Sequence, residues 1–351
     1  MTVPTWPHLL QQLLGGVDLS SADTAWVMDR VMTGEATPAQ VAGFAVALRA
    51  KGESAEEVAG LADGMLAHAL RFEVPQRTVD IVGTGGDQSN SVNISTMAAV
   101  VVAAAGATVV KHGNRSASST TGSADVLENL GIALTLSPRG VAECVQEVGI
   151  GFCFAAAFHP SMRYAAAPRR ELGIPTFFNI LGPLTNPAQP QASAIGCGNS
   201  RLAPVMAGVF AKRGSDALVF RGNDGLDELT TTTTSVIWSV LDGAVTESVF
   251  DPLALEIPRA RPGDLVGSDV EFNASVARTI FAGKSGPVRD AVVLNAAAAL
   301  AVHAGLSGNL EADLRAGAAR ACVALDTGAA QKLLADWAAA SQRIFAVERP
   351  R

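Results

Sequence analysis

With 351 residues, the chain exceeds the ~250–300 at which a single hydrophobic core stops growing, so two packing units are expected. Apolar residues make up 48% and charged residues 17%, which excludes a disordered chain. The net charge of −7 excludes a general polyanion-binding surface, so no nucleic acid partner is expected and any phosphate must be gripped locally.

From residue 8 to 72 the apolar spacing is helical: Leu9, Leu10, Leu13 and Leu14, then Trp26, Val27, Val31 and Met32, then Val41, Phe44, Ala45 and Leu48, then Val58, Leu61, Met65 and Leu66. Ser20-Ser21 with Asp23, Thr37-Pro38 and Ser54 before Glu56-Glu57 signal starts, and Gly15, Gly34 and Gly52 signal stops. Four short helices are predicted, a packing or dimerisation unit rather than a catalytic one. After Pro75 the pattern changes. A short buried strand at 79–82, a glycine loop at 83–91, a helix at 93–105 and a second strand at 107–110 make one strand-helix-strand unit. Helices follow at 123–131 and 138–148, and a strand at 151–154. A helical insert at 160–182 is expected to return to the helical unit. Strands are predicted at 192–196, 217–220, 236–241 and 244–249, with a helix at 205–212, and 273–345 is mostly helical.

The four cysteines, Cys144, Cys153, Cys197 and Cys322, have no C-x-x-C spacing and read as buried free thiols in a reducing cytosol. Residues 1–14 lack a basic leader, and the apolar run at 98–105 is too short to span a bilayer. A cytoplasmic protein with no membrane partner is expected.

Gly83-Thr-Gly-Gly-Asp87 follows a strand and precedes a helix, where backbone N–H groups and a helix N-terminus can close on a phosphate. It is not the dinucleotide fingerprint, which needs glycine at Gln88, and no Gly-Lys-Ser/Thr follows for a Walker loop. An ordinary strand-to-helix turn would carry the same glycines, with Asp87 as a local cap. Asn93-Ile-Ser95-Thr96 can cap the next helix or donate to phosphate oxygens, and Ser95 can ligate a hard cation. The run from Lys111 to Ser119 reads as a basic, hydroxyl-rich loop at the carboxyl end of the neighbouring strand, where ligands of open α/β sheets bind. Lysine is scarce, five against 21 arginines, which singles out Lys111. Asp224, Asp227 and Glu228 lie in a loop after another strand and are either solvated turn residues or, opposite a pyrophosphate, oxygen ligands for Mg²⁺. Arg169-Arg170 is either an exposed pair or a guanidinium fork for a substrate carboxylate. His112 and His159 are not spaced as metal ligands.

These motifs, together with Gly122-Ser-Ala-Asp-Val-Leu-Glu128, Arg169-Arg-Glu-Leu-Gly173, Asn179-Ile-Leu-Gly-Pro-Leu-Thr-Asn-Pro187 and Gly286-Pro-Val-Arg-Asp-Ala-Val-Val-Leu-Asn-Ala-Ala297, closely resemble the anthranilate phosphoribosyltransferase family of tryptophan biosynthesis over almost the whole chain. The resemblance implies an α/β fold of the nucleoside phosphorylase/phosphoribosyltransferase type. A small all-α N-terminal domain, 1–76 with an insert at about 160–184, would join a larger α/β domain, 77–351, with a central, mostly parallel sheet. It implies a homodimer through the helical domain, and transfer of a phosphoribosyl group from 5-phosphoribosyl 1-diphosphate (PRPP) to anthranilate. The donor would lie on Gly83, Gly86, Asp87, Ser91, Asn93, Ile94, Ser95, Thr96, Lys111, His112, Gly113, Asn114, Arg115, Ser116, Ala117, Ser118, Ser119 and Ser123. Magnesium, as two ions per subunit, would be held by Ser95, Asp227 and Glu228, and anthranilate would meet Gly83, Asn114 and Arg169. No residue is assigned as a general base. Gln88, Val92 and Arg221 depart from the family pattern. A nucleoside phosphorylase, with the same architecture, is the alternative enzyme, and a binding or scaffold relative without catalysis is the other alternative.

Overall fold

The computed structural model describes residues 4–115 and 121–348. The N-terminal helices are α1 (Trp6–Leu14), α2 (Ser21–Thr33), α3 (Pro38–Lys51) and α4 (Ala55–Ala67). Full capping boxes open α2 to α4, with Ser20, Thr37 and Ser54 accepting from the third-residue N–H while Asp23, Gln40 and Glu57 reach back.

The sheet begins with β1 (Thr78–Gly83), α5 (Ile94–Ala104), β2 (Thr108–Gly113), α6 (Ser123–Asn129), α7 (Pro138–Val148) and β3 (Ile150–Phe154). Then come α8 (Ala155–Phe158), α9 (Arg163–Leu172), α10 (Phe178–Leu184), β4 (Ala192–Gly196), α11 (Ala203–Arg213), β5 (Asp216–Gly222), β6 (Ser235–Leu241) and β7 (Ala244–Phe250). The helices α12 (Val270–Phe281), α13 (Pro287–Ala304), α14 (Leu310–Asp326) and α15 (Ala329–Glu348) complete the described chain. No described helix is long and apolar enough to cross a membrane.

The sheet order is β3-β2-β1-β4-β5-β6-β7, parallel from β3 through β5 and antiparallel at β5-β6-β7. Side chains alternate between two cores. Ala194, Leu218 and Phe220 join the cluster containing α5 and α13, whereas Ile195, Ala217 and Val219 join that of the helical unit and α11. Helix α9 packs on α2 and α3, α10 packs on α4, and Phe177 meets Phe44 edge-on at 5.9 Å. Cys144, Cys153 and Cys197 are buried as expected, but Cys322 is only half-buried because it lies on the partly exposed face of α14.

Candidate functional site

The direction of strand addition reverses at β1, which has β2 on one side and β4 on the other. Such a switch point opens a crevice beyond the carboxyl ends of the strands. Here Gly83 and Gly196 are paired in register, and the N–H of Thr84 donates to Gly196 O at 2.9 Å. Both glycines are steric requirements. A β-carbon on Gly83 would lie 2.2 Å from Asp227 Oδ2, and one on Gly196 would lie 1.5 Å from Asp227 O. The acidic loop after β5 therefore lies directly on the two strand ends.

Asp227 Oδ2 accepts the N–H of Gly85 at 2.6 Å, joining the glycine loop to the acidic loop. Asp87 reaches back, its Oδ2 accepting from the N–H of Asp227 at 3.4 Å and its Oδ1 from the N–H of Ser89 at 3.2 Å. Carboxylate oxygens of Asp87, Asp227 and Glu228 all lie within 4.8 Å of one another. Burial, with repulsion from Asp87 second, pushes the Asp227 carboxyl up to about 6. Burial followed by Asp227 and Asp87 pushes Glu228 well above the usual carboxylate range. Glu228 Oε2 is buried with no hydrogen-bond partner among the described residues. Clustered oxygen donors with one left over fit a hard divalent cation, which would supply the missing positive charge. Asp224 is excluded from this cluster: its Oδ2 accepts from the hydroxyls of Thr230 and Thr232 inside its own loop.

One sequence-based expectation requires correction. Lys111, His112 and Gly113 were expected in a loop; they are the last residues of β2, because the pairing with β3 continues to Gly113 opposite Phe154. Lys111 is wholly buried, and its Nζ donates to Ile81 O at 2.5 Å and Ser95 Oγ at 3.3 Å. Burial lowers its ammonium to about 8 despite Asp80, Glu228 and Asp227, which favour the charge. Buried Asp80, pushed up to about 6 by burial, accepts from the N–H of His112 at 3.1 Å and from Asn186 Nδ2 at 2.8 Å. Ser95 thus approaches the acidic cluster through Lys111.

A second correction concerns Asn93. It occupies the N-cap of α5 but makes no side-chain cap bond, because its amide instead donates to Thr121 O at 3.1 Å and accepts from Asn273 Nδ2 at 2.9 Å. Asn114 is exposed and its Oδ1 accepts the N–H of Arg115 at 2.8 Å. Arg115 bonds Asp125 at 2.6 Å and Glu128 at 2.9 Å, both on α6, whose first residue is Ser123. Ser116, Ala117, Ser118 and Ser119 lie outside the described residues.

Arg169 stands in the last turn of α9 with its guanidinium carbon 5.2 Å from the Phe178 ring centroid. Burial lowers its guanidinium from the usual value, and among the described residues no carboxylate pairs with it. One turn beyond Phe178, Gly182 O bonds His112 Nδ1 at 2.8 Å, so α10 connects Arg169 to the end of β2. The His112 and His159 rings are 5.2 Å apart, and burial lowers them to about 3 and about 4. They are neutral rings, and no metal is suggested there.

Residues not singled out from sequence are Asp80, Asn186, Asn273 and Asn295. Asn295, buried on α13, clamps the acidic loop from behind by accepting from the N–H of Leu229 at 3.0 Å and donating to its carbonyl at 2.9 Å. Asp80 alone had a signal, an isolated acid inside an apolar strand run.

Residues 7–69 match the model of a glycosyl transferase family helical bundle domain, and residues 75–331 match the α/β domain of the same family. The anthranilate phosphoribosyltransferase of Saccharopolyspora erythraea is 60% identical over 341 residues, 97% of each chain. That of Thermobifida fusca is 59% identical, covering 97% of this chain and 98% of the relative. Among solved structures, anthranilate phosphoribosyltransferase from Thermus thermophilus matches with a TM-score of 0.89 at 39% identity, covering 95% of this chain and 99% of that one. The Saccharomyces cerevisiae enzyme in complex with PRPP and Mg matches with a TM-score of 0.87 at 25% identity, covering 96% and 98%.

Proposed function

The chain belongs to the anthranilate phosphoribosyltransferase family, and on that premise we propose how its residues divide the work. The protein transfers the 5-phosphoribosyl group from PRPP to the amine of anthranilate, giving N-(5-phosphoribosyl)anthranilate and pyrophosphate in tryptophan biosynthesis. The observation that carries the assignment is the bond from the Gly85 N–H to Asp227, which joins a phosphate-type loop to an acidic cluster at the sheet's switch point.

Gly83, Gly86, Asp87, Ser91 and the Asn93–Thr96 step cradle the donor, together with Lys111 to Ser119 and Ser123. The buried position of Lys111 supports a role beneath the donor site, fixing Ser95 and balancing the acids, rather than at an open surface. Mg²⁺ is the metal this reading requires; Asp227, Glu228 and Ser95 would hold it, and we add Asp87 because its carboxylate belongs to the same cluster. Two ions per subunit would account for four oxygen-donating side chains around a diphosphate. When bound, Mg²⁺ neutralises charge on the diphosphate leaving group.

Displacement at C1 of the ribose builds positive character on the sugar and negative charge on pyrophosphate. The N–H groups of Thr84 and Gly85 are already bound to Gly196 and Asp227, so it is the remaining N–H groups of the glycine loop that would meet that charge, where preorganised electrostatics lower a barrier most. Arg169 holds the anthranilate carboxylate and Asn114 with the Gly83 backbone aligns the amine, so the acceptor is delivered as a positioned nucleophile. No general base is assigned. The partly buried guanidinium of Arg169, with no carboxylate partner among the described residues, supports this role.

We extend the reading to two domains, 1–76 with the insert at about 160–184 and 77–351, to a cytoplasmic location, and to a homodimer through the helical unit. Exposed Leu14 (79%), Val17 (51%) and Val46 (42%) on that unit support the dimer. A solution mass of one chain would remove it.

Incubation with PRPP, Mg²⁺ and anthranilate, followed by loss of anthranilate fluorescence, tests the activity. Loss that requires all three is expected. Turnover only with a nucleoside and phosphate, or donor binding without turnover, would overturn the reading.

A further inference from the structure

The glycine loop turns through four left-handed residues, of which Gln88 is the one that does not favour that conformation. Gly85, Gly86, Gln88 and Asn90 have φ of 69°, 81°, 59° and 50°. Side-chain-bearing residues persist in that region where the surroundings over-determine them. Those surroundings come from the segment just ahead of α12. The N–H of Val92 donates to Leu265 O at 2.9 Å, the N–H of Gly267 donates to Asn90 O at 2.7 Å, and Ser91 bridges Val266 in antiparallel fashion.

Behind this bridge stands Asn273, in the first turn of α12 and only 3% exposed. Its Oδ1 accepts from the N–H of Ser268 at 3.0 Å and its Nδ2 donates to Asn93 Oδ1 at 2.9 Å, across 180 positions of sequence. Asn93 Nδ2 donates in turn to Thr121 O at 3.1 Å, and Thr121 Oγ1 donates to Ser268 O at 3.0 Å, closing a ring of side-chain and backbone bonds. Each amide uses one donor and one acceptor, so neither can flip without opposing like groups. Gly267 completes the fit. A β-carbon there would lie 2.7 Å from Asn273 Oδ1 and 3.0 Å from Ser91 O.

We propose that Asn273 is a positioning residue for the diphosphate donor: through Asn93 it locks the glycine loop, the start of α5 and the Thr121 end of the loop after β2 into one cradle. The proposal rests on the reading of these loops as the donor site. None of the bonds in the ring reaches Arg169, Gly83 or Asn114, the residues read as meeting the acceptor, so the effect falls chiefly on the donor.

The test is steady-state kinetics of the full chain at saturating Mg²⁺ for wild type, Asn273→Ala, Asn273→Asp and Gly267→Ala, with equilibrium binding of PRPP measured in parallel. Asn273→Asp keeps the acceptor for Ser268 and sets an oxygen against Asn93 Oδ1. Gly267→Ala leaves the amide present and displaces it. Each variant is expected to raise the KM and Kd for PRPP roughly tenfold, the effect of losing one well-made interaction, with the anthranilate KM within about twofold of wild type. Should Asn273→Ala fold poorly, Gly267→Ala and the PRPP Kd decide. A donor KM and Kd unchanged in all variants, or equal rises for both substrates, would overturn the proposal while leaving the activity intact. A wild type that does not turn over these substrates would overturn the functional reading, and this inference with it.

Discussion

Gly196 and Asp227 approach so closely that the strand residue has no room for a side chain: an added β-carbon would lie 1.5 Å from the aspartate's carbonyl oxygen. The acidic loop is thereby seated on the end of β4 by backbone contact. Its height above the glycine loop is set by the sheet.

Gly196→Ala should lift that loop and separate Asp227 from Gly85. Because a misplacement of about 1 Å can cost on the order of 100-fold in rate, kcat/KM should fall by about that factor. Gly198→Ala is the control, since its β-carbon would lie 3.3 Å from Asp87 Cβ, a contact relieved by a small shift. Equal losses in the two variants would contradict the distinction.

Mg²⁺ dependence should vary with pH in a defined direction. Asp227 is raised to about 6 and Glu228 is raised well above the usual range, both chiefly by burial. Cation binding needs the deprotonated forms, so the Mg²⁺ concentration for half-maximal activity should climb as pH falls through about 6. Glu228→Gln should raise the Mg²⁺ concentration for half-maximal activity at neutral pH and flatten its pH response. A wild-type requirement independent of pH between 5 and 8 would argue against the cluster as the metal site.

Gln88 offers a stabilising change. Its φ of 59° is one that glycine adopts without penalty, whereas a left-handed conformation costs other residues roughly 1–2 kcal/mol. Glycine's greater chain entropy offsets roughly 0.5–1 kcal/mol of the gain. Gln88→Gly should therefore raise unfolding stability by up to about 1.5 kcal/mol in a denaturant titration. A clear loss of stability would mean that the glutamine side chain contributes a contact larger than its backbone strain.

Arg169→Ala should raise the anthranilate KM far more than the PRPP KM. Removing a charge-assisted bond costs about 1.5–3 kcal/mol, or roughly 10- to 100-fold. Lysine should restore little, since it lacks the planar fork that grips a carboxylate and stacks on Phe178. Equal effects on both substrates would remove the acceptor role.

Much of the fold was legible because its signals are local. The helix starts at Ser20, Thr37 and Ser54 carry their own caps, and the run Ala192–Gly196 is interrupted by one small polar residue alone, Ser193. The extension of β2 through Lys111 to Gly113 was not legible, because a lysine and a histidine interrupt the apolar run and only pairing with β3 reveals that they are strand. In the candidate site, Gly83, Asp87, Asp227 and Glu228 could be picked out as turn glycines and paired acids, but their convergence depends on sheet order. Asn273 and Asn295 gave no warning at all. A lone asparagine in a helix looks like a solvent-facing residue until its distant partner is known, the Leu229 backbone for Asn295 and the Asn93 side chain for Asn273.

The reversal of strand order at β1 also bears on how the molecule comes into being. Thr78 bonds Gln191 across 113 positions and Gly85 bonds Asp227 across 142, so the joining of the glycine loop to the acidic loop waits on contacts remote along the chain. Remote pairings form slowly, since loop closure precedes any reward from the contact. A chain emerging during synthesis can complete its first helices and the β1-β2 unit while still lacking every acid after β5. Recovery of catalytic competence on refolding should consequently lag recovery of helix content.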